Sequence, residues 1–327
     1  MSNARKLLII KTSSLGDVVH MLPAITDARQ QQPDLIIDWV VEEGFAEVPS
    51  WHPGIRRVIP LALRRWRKTP FAANTKAEIK QFINTLKQER YDYVLDTQGL
   101  LKSALIACLS QGKRYGYDWH SIREPFASLC YQRRASVSRQ QHAVTRNRLL
   151  TAAALGYTID DMPLAYGISH TVFLKPTIEF PEKYIVALHG TSRPAKEWAE
   201  PHWHMLIQTM AEHGIHTLLP WGNVRERERA ERLAQQQPYA QVLPRCGLGE
   251  LAYLLQRAQG VIGMDTGLMH IAAALDQRGL ALYPATAPEL TGVLGNDNAP
   301  SPIATLAGEA TADAAIIVHR FADLLEA

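Results

Sequence analysis

Cysteine is scarce in this chain of 327 residues: Cys108, Cys130 and Cys246 are far apart, and no two form a C-x-x-C pair. Neither a disulfide framework nor a zinc-ligand spacing is available, and a reducing cytosol fits best. Long apolar runs are also lacking. The run Leu7-Leu8-Ile9-Ile10 ends at Lys11, far short of a signal-peptide core or the roughly 20 apolar residues of a spanning helix. A soluble or peripheral protein is expected. An excess of one charge is missing too, since 35 Lys and Arg against 32 Asp and Glu leave a net +3. Bulk attraction to nucleic acid has no basis in so small a value. Neither G-x-G-x-x-G nor G-x-x-x-x-G-K-[ST] follows the first apolar run, so the dinucleotide and P-loop readings lose their main support. No fixed-period repeat is visible.

What is present belongs to an ordinary globular enzyme, with 46% hydrophobic and 20% charged residues and with 20 glycines and 19 prolines scattered along the chain. At roughly 150 residues per domain the length suggests two. Short β-rich runs alternate with helical spacing: Leu7 to Lys11, Ile36 to Val41, Val58 to Pro60, a helix from Ala77 to Gln88, Tyr93 to Asp96, and a helix from Leu100. Val18, Met21, Leu22 and Ile25 lie on one helical face that Pro23 kinks or restarts. This alternation predicts an α/β fold with a parallel sheet. The pattern resumes at Tyr184 to Leu188, Thr217 to Leu219, Val242 to Pro244, Gly260 to Met264 and Leu280 to Tyr283, after a stretch without periodicity that holds Pro163, Pro176 and Pro181. Two doubly wound, Rossmann-like domains are expected to face each other across a cleft: 1–160, a linker 161–182, and 183–310. The last helix, 311–327, is a candidate to return to the first domain.

Candidate chemistry sits where strands end and helices begin, because free helix amides and small hydroxyls there suit an oxygen-rich ligand. In the first half the loop is Lys11-Thr12-Ser13-Ser14-Leu15-Gly16-Asp17. Asp17 reads equally as a helix N-cap and as a carboxylate able to take a proton from a sugar hydroxyl. In the second half Asp265-Thr266-Gly267 opens a helix carrying His270, with Asp265 again readable as an N-cap and His270 as a core residue. The loop Gly190-Thr191-Ser192-Arg193-Pro194-Ala195-Lys196 adds hydroxyls and a cation suited to a diphosphate. Glu226 follows Pro220-Trp221-Gly222 and can hold two ribose hydroxyls, although Arg225 to Arg229 also reads as a solvated charge run. The stretch Arg64-Arg65-Trp66-Arg67-Lys68 can meet an acidic substrate or an anionic membrane, or be a solvated loop.

Taken together, K-T-S-S-L-G-D-V-V-H-M-L-P at 11–23, V-V-E-E-G-F at 40–45, R-R-W-R-K at 64–68, D-T-Q-G-L-L-K-S at 96–103, D-W-H-S-I-R-E-P at 118–125 and D-T-G-L-M-H at 265–270 resemble the lipopolysaccharide heptosyltransferase I family over nearly the full length. The resemblance implies a GT-B fold and an inverting, metal-independent transfer of heptose from ADP-L-glycero-β-D-manno-heptose to Kdo2-lipid A, without a cofactor or nucleic acid. It implies a cytoplasmic enzyme, peripheral on the inner membrane of a Gram-negative bacterium. By the same resemblance Asp17 is the general base in a loop shaped by Ser13, Ser14 and Gly16. Thr191, Ser192, Lys196, Glu226, Cys246, Asp265, Thr266, Gly267 and His270 form the donor site, and Arg64, Arg65, Arg67, Lys68 and Arg123 meet the acceptor. The chain departs from the pattern at Cys246, where a Met is expected against adenine, and at Tyr283-Pro284-Ala285-Thr286-Ala287-Pro288, where the usual run is closer to Y-G-P-T-D-P. Rival readings are a heptosyltransferase II type that uses an already heptosylated acceptor, a nucleotide-sugar or lipid-binding module without turnover, and, on fold alone, an NAD-dependent oxidoreductase.

Overall fold

A computed structural model describes residues 4–173, 175–191, 197–299 and 303–326. The chain forms two compact units, 1–169 and 170–327. Each contains a six-stranded parallel sheet. In the first unit the strands are β1 (Lys6–Ile10), β2 (Ile36–Glu42), β3 (Ile55–Leu61), β4 (Arg90–Asp96), β5 (Gln111–Tyr117) and β6 (Arg133–Ala135), in the order β3-β2-β1-β4-β5-β6. The second unit repeats this plan with β7 (Tyr184–Leu188), β8 (His216–Leu219), β9 (Ala240–Val242), β10 (Val261–Met264), β11 (Gly279–Tyr283) and β12 (Ala304–Ala307), ordered β12-β11-β10-β7-β8-β9. Strand order reverses between β1 and β4, and again between β7 and β10. Those are the points where a doubly wound sheet opens a crevice at its carboxyl ends.

The central strands are the ones that a continuous apolar run predicts, because a parallel strand covered on both faces excludes polar side chains. Leu7, Leu8, Ile9 and Ile10 are fully buried, and so is all of β7. The outer strands β5, β6 and β12 carry no such signal. Gln111-Gly112-Lys113-Arg114 opens β5, one strand in from the edge, and Arg133-Arg134 fills most of β6, as suits the edge of a sheet. Pro23 restarts the first helix: one helix spans Leu15–Val19 and the next, Leu22–Gln31, has Pro23 in its opening turn.

Two expectations about the domain ends change. Residues 161–169, read as linker, pack on the first unit. Leu164, Tyr166 and Ile168 are buried, Ser169 N–H donates to Trp51 O, and Arg148, which forms a buried pair with Asp27 at 2.7 Å, donates to the carbonyl of Met162. The C-terminal helix Ala314–Glu326 lies in the core of the second unit, with Ile317, Val318 and Phe321 among Trp203, Leu206, Ile207 and Met210. Its apolar stripe is consumed in that core, so the helix is a part of the second unit.

The 161–169 segment closes over His52. Gly167 adopts φ +63, and a Cβ at that position would lie 2.6 Å from both His52 Nε2 and Thr26 Oγ1, so only glycine fits. His52 Nδ1 accepts from Gly54 N–H at 2.9 Å, which puts the ring proton on Nε2, 3.0 Å from Thr26 Oγ1. Burial, helped by the Arg29 charge, pulls the His52 pKa down to about 4. The unfolded ring titrates near 6.5, so between these values the unfolded chain binds the extra proton. Stability from this residue is complete above about pH 6.5 and is lost as the pH falls toward 4. Urea unfolding across that window should show a slope of up to ~1.4 kcal/mol per pH unit that His52→Gln removes. Superimposable pH profiles for the two proteins would contradict a buried neutral His52.

Candidate active site

In the first unit the loop after β1 and the loop after β4 meet at the strand reversal. Gln98 Oε1 accepts from the backbone N–H groups of Thr12 and Ser13, at 2.9 and 3.1 Å. Gln98 is itself set by Asp96, whose Oδ1 accepts from the amides of Gln98 and Gly99. The Asp17 loop is therefore fixed by the neighbouring strand end. Ser14, not Asp17, caps the helix Leu15–Val19, and Asp17 lies in its first turn. The Asp17 carboxylate accepts from Ser14 N–H at 2.6 Å and from Ser14 Oγ at 3.0 Å. Both bonds fall on one oxygen, Oδ2. Ser13 Oγ lies 3.5 Å from Lys102 Nζ, and Gly16 is buried in the turn.

Beneath this loop lies a group of charges that the motif reading leaves without a role. Lys11 is buried, with Nζ donating to Thr97 O at 3.0 Å. Burial pulls its pKa down, the Asp17 and Asp96 charges act in the opposite direction, and Arg146 and Arg123 add to the lowering. Burial raises the Asp96 carboxyl, opposed by hydrogen bonds from Tyr131, Ser103 and the two loop amides. Arg146 lies over the Tyr117 ring at 4.7 Å and donates to Ser121 O at 2.6 Å. An ionisable residue ending an apolar strand, as Lys11 and Asp96 do, is the sequence signal that marks such a group.

The basic stretch divides. Arg65 is held by Glu43 at 3.0 Å and Glu78 at 2.8 Å, and Trp66 is buried with its Nε1–H donating to Glu78 at 2.6 Å. Arg64 lies over the Phe45 ring at 5.0 Å, while Arg67 and Lys68 are exposed. Arg123 is exposed beside the turn at Gly99.

In the second unit the donor candidates sit at the carboxyl ends of β7 to β10. Glu226 reaches from the helix Val224–Ala234 to accept from Gly222 N–H at 2.7 Å, while Asn223 Oδ1 caps that helix on Glu226 N–H. A Cβ on Gly190 would come within 2.9 Å of Glu226 Cδ, so glycine there lets the two loops touch. Thr191 is buried, and its hydroxyl has no partner among the described residues. Ser192 and Lys196 lie outside the described residues. The charge run after Glu226 is only partly a solvated face, because Arg229 is buried and donates to the carbonyls of His189 and Trp198. His189 is fully buried, and burial with the Arg229 charge lowers its pKa to about 4.

Thr266, not Asp265, caps the helix Gly267–Ala274. Asp265 precedes the cap and accepts from Thr286 Oγ1 at 3.3 Å, so the atypical Tyr283 to Pro288 run supplies a partner to the candidate sugar-binding carboxylate. His270 is buried on the same helix. Cys246, in the loop after β9, donates its thiol to Pro244 O at 3.3 Å, and burial with the Glu250 charge pushes its pKa up to about 11. It is a neutral, partly exposed surface. Among the described residues no group of three or more His, Cys, Asp or Glu could hold a metal ion.

Residues 79–306 match glycosyltransferase family 9 (heptosyltransferase). The chain is 48% identical over 294 residues to lipopolysaccharide heptosyltransferase 1 of Escherichia coli K12, covering 89% of this chain and 92% of that protein. Among solved structures, the E. coli heptosyltransferase WaaC with ADP has a TM-score of 0.89 at 44% identity, covering 98% of this chain and 99% of that one. The same enzyme with ADP-2-deoxy-2-fluoro heptose gives a TM-score of 0.80 at 48% identity, over 86% of this chain and 90% of that one. Two doubly wound sheets, a fixed carboxylate loop after β1 and small-residue loops at the carboxyl ends of β7 to β10 thus coincide with this likeness, and the chain belongs to glycosyltransferase family 9, the heptosyltransferases.

Proposed function

We propose that this chain transfers L-glycero-D-manno-heptose from ADP-heptose to the Kdo of Kdo2-lipid A, adding the first heptose of the lipopolysaccharide inner core. The observation that carries the reading is the Asp17 loop, held at the strand reversal by Gln98 and with Ser14 engaging only Oδ2. Oδ1 is the oxygen that takes the proton from the acceptor hydroxyl. As that proton leaves, the hydroxyl oxygen bonds to the anomeric carbon, the bond to ADP breaks, and the configuration inverts. ADP departs as an anion. The amide end of the helix Gly267–Ala274, capped by Thr266, and the Lys196 ammonium meet its charge, so no metal ion is invoked. Glu226 takes the ribose hydroxyls, Asp265 and Thr191 hold the heptose end of the donor, and the Cys246 wall packs beside adenine. The enzyme works at the cytoplasmic face of the inner membrane, where an acyl-anchored acceptor resides.

Asp17→Asn keeps the shape of the loop and removes the base. Its kcat should fall by at least 100-fold while ADP affinity stays within twofold, in single-turnover and calorimetric measurements. Turnover near that of the wild type would remove Asp17 from the mechanism. On the acceptor side, Arg64, Arg67 and Lys68 are the members of the basic stretch not committed to acidic neighbours, in contrast to Arg65. Replacing these three with Gln should raise the acceptor KM about tenfold or more and leave the ADP Kd unchanged, whereas Arg65→Gln alone should chiefly lower Tm. An unchanged KM in the triple variant returns the stretch to solvated surface.

A further inference from the structure

The helix Leu101–Leu109 begins directly after the β4 loop that holds the Asp17 loop, and its outward face is apolar where solvent would ordinarily select charge. Leu101, Leu105 and Leu109 follow at i, i+4 and i+8 and are 48%, 62% and 39% exposed. Ser103, Ala104, Ile106 and Ala107 on the other side are buried, so the exposed leucines are not needed for the core. The 3-10 turn Pro125–Cys130 packs against this helix and adds Phe126 at 66% and Leu129 at 63% exposure. Trp119, 42% exposed, meets Phe126 edge to face at 5.3 Å. Six large apolar side chains thus share one face of the first unit. A contiguous patch of this kind marks a docking surface.

The charge around the patch favours an anionic occupant. Residues 98–141 hold seven Lys or Arg and only two acids, Asp118 and Glu124, so the rest of the chain is slightly acidic although the whole is net positive. Both acids are committed to local groups, Glu124 to Leu101 N–H and Asp118 to Ser121. Arg114 and Arg134 donate through Nε to the carbonyls of Cys130 and Ser128, which fixes two guanidinium groups against the turn that carries Phe126 and Leu129. Arg123 and Arg133 are exposed on its flanks. An apolar centre with a cationic rim complements the acyl boundary and anionic headgroups of a bilayer. We propose that the helix Leu101–Leu109, the turn Pro125–Cys130 and Trp119 dock this enzyme on an anionic membrane surface by interfacial insertion of Leu105, Phe126 and Leu129. The choice of a membrane over a protein partner rests on the reading of the acceptor as acyl-anchored. Lys102, on the same helix and 3.5 Å from Ser13, ties this face to the catalytic loop.

The test uses the full chain with vesicles of phosphatidylglycerol and phosphatidylethanolamine, and with neutral phosphatidylcholine vesicles. The wild type should partition at least tenfold more strongly into the anionic vesicles, and added salt should weaken that binding. The double variant Leu105→Asp with Phe126→Asp should lose at least tenfold of it while keeping the wild-type Tm, since both side chains are more than half exposed. It should also keep the wild-type kcat/KM on an acceptor stripped of its acyl chains. Equal vesicle binding by wild type and variant overturns the proposal, as does equal binding to anionic and neutral vesicles. A concentration-dependent dimer that the variant abolishes, with no change in vesicle binding, assigns the face to a second copy instead. Failure of the wild type to turn over the stripped acceptor contradicts the heptose-transfer reading and leaves the vesicle comparison to decide the docking face by itself.

Discussion

A parallel strand covered on both faces has no room for polar side chains along its length, so polar chemistry is displaced to its carboxyl end. This constraint operates twice in the molecule. At the reversal between β1 and β4 it places Lys11, Thr12 and Asp96 at the limit of the apolar layer, and at the reversal between β7 and β10 it does the same for His189, Thr191 and Asp265. The remaining features of each cluster follow from satisfying the polar groups collected there. Gln98 spans two loop amides, Asp96 holds Gln98, and Tyr131 closes the chain by donating to Asp96 at 2.6 Å. Removing any member strands a buried polar group, which is why so short a loop can be held rigidly.

The two strand-end clusters differ in composition in a way that suits the roles proposed for them. Beneath the Asp17 loop lie the buried Lys11 and the half-buried Arg146, both basic side chains. In the second unit the strand ends present hydroxyls, glycines and helix amides, with Glu226 brought against Gly190 and Gly222. The carboxylate proposed as the base stands in the first arrangement. A diphosphate-bearing sugar nucleotide, bulky and anionic, belongs with the second.

Much of this was legible in the sequence, and what was not has physical reasons. The buried strands are visible as runs such as Leu7 to Ile10 and Tyr184 to Leu188, while β5, β6 and β12 are not: charge and glycine interrupt β5, two arginines fill most of the edge strand β6, and the edge strand β12 is a short, only half-buried Ala-Thr-Leu-Ala. Of the two readings open for Pro23, a kink or a restart, the structure shows the restart. The residues 161–169 read as a linker because their anchors, Leu164, Tyr166 and Ile168, are interspersed with Pro163 and Gly167 and pack on a tertiary surface without forming an element of their own. Asp17 and Asp265 lie in the anticipated loops, but Ser14 and Thr266 are the caps: Asp17 reaches back from the first turn to the Ser14 N–H, and Asp265 precedes its helix. Lys11, Asp96 and Gln98 fall within the motifs without a legible task, since nothing in linear spacing tells that β1 and β4 are neighbours.

The most direct test of the account is product formation by the intact chain. Purified protein mixed with ADP-heptose and Kdo2-lipid A should release ADP in step with the gain of one heptose per acceptor, with the new linkage inverted relative to the donor. ADP-mannose and an acceptor already carrying a heptose should be much poorer substrates. Preferential transfer to the heptosylated acceptor, or ADP release without a glycosylated product, would contradict it.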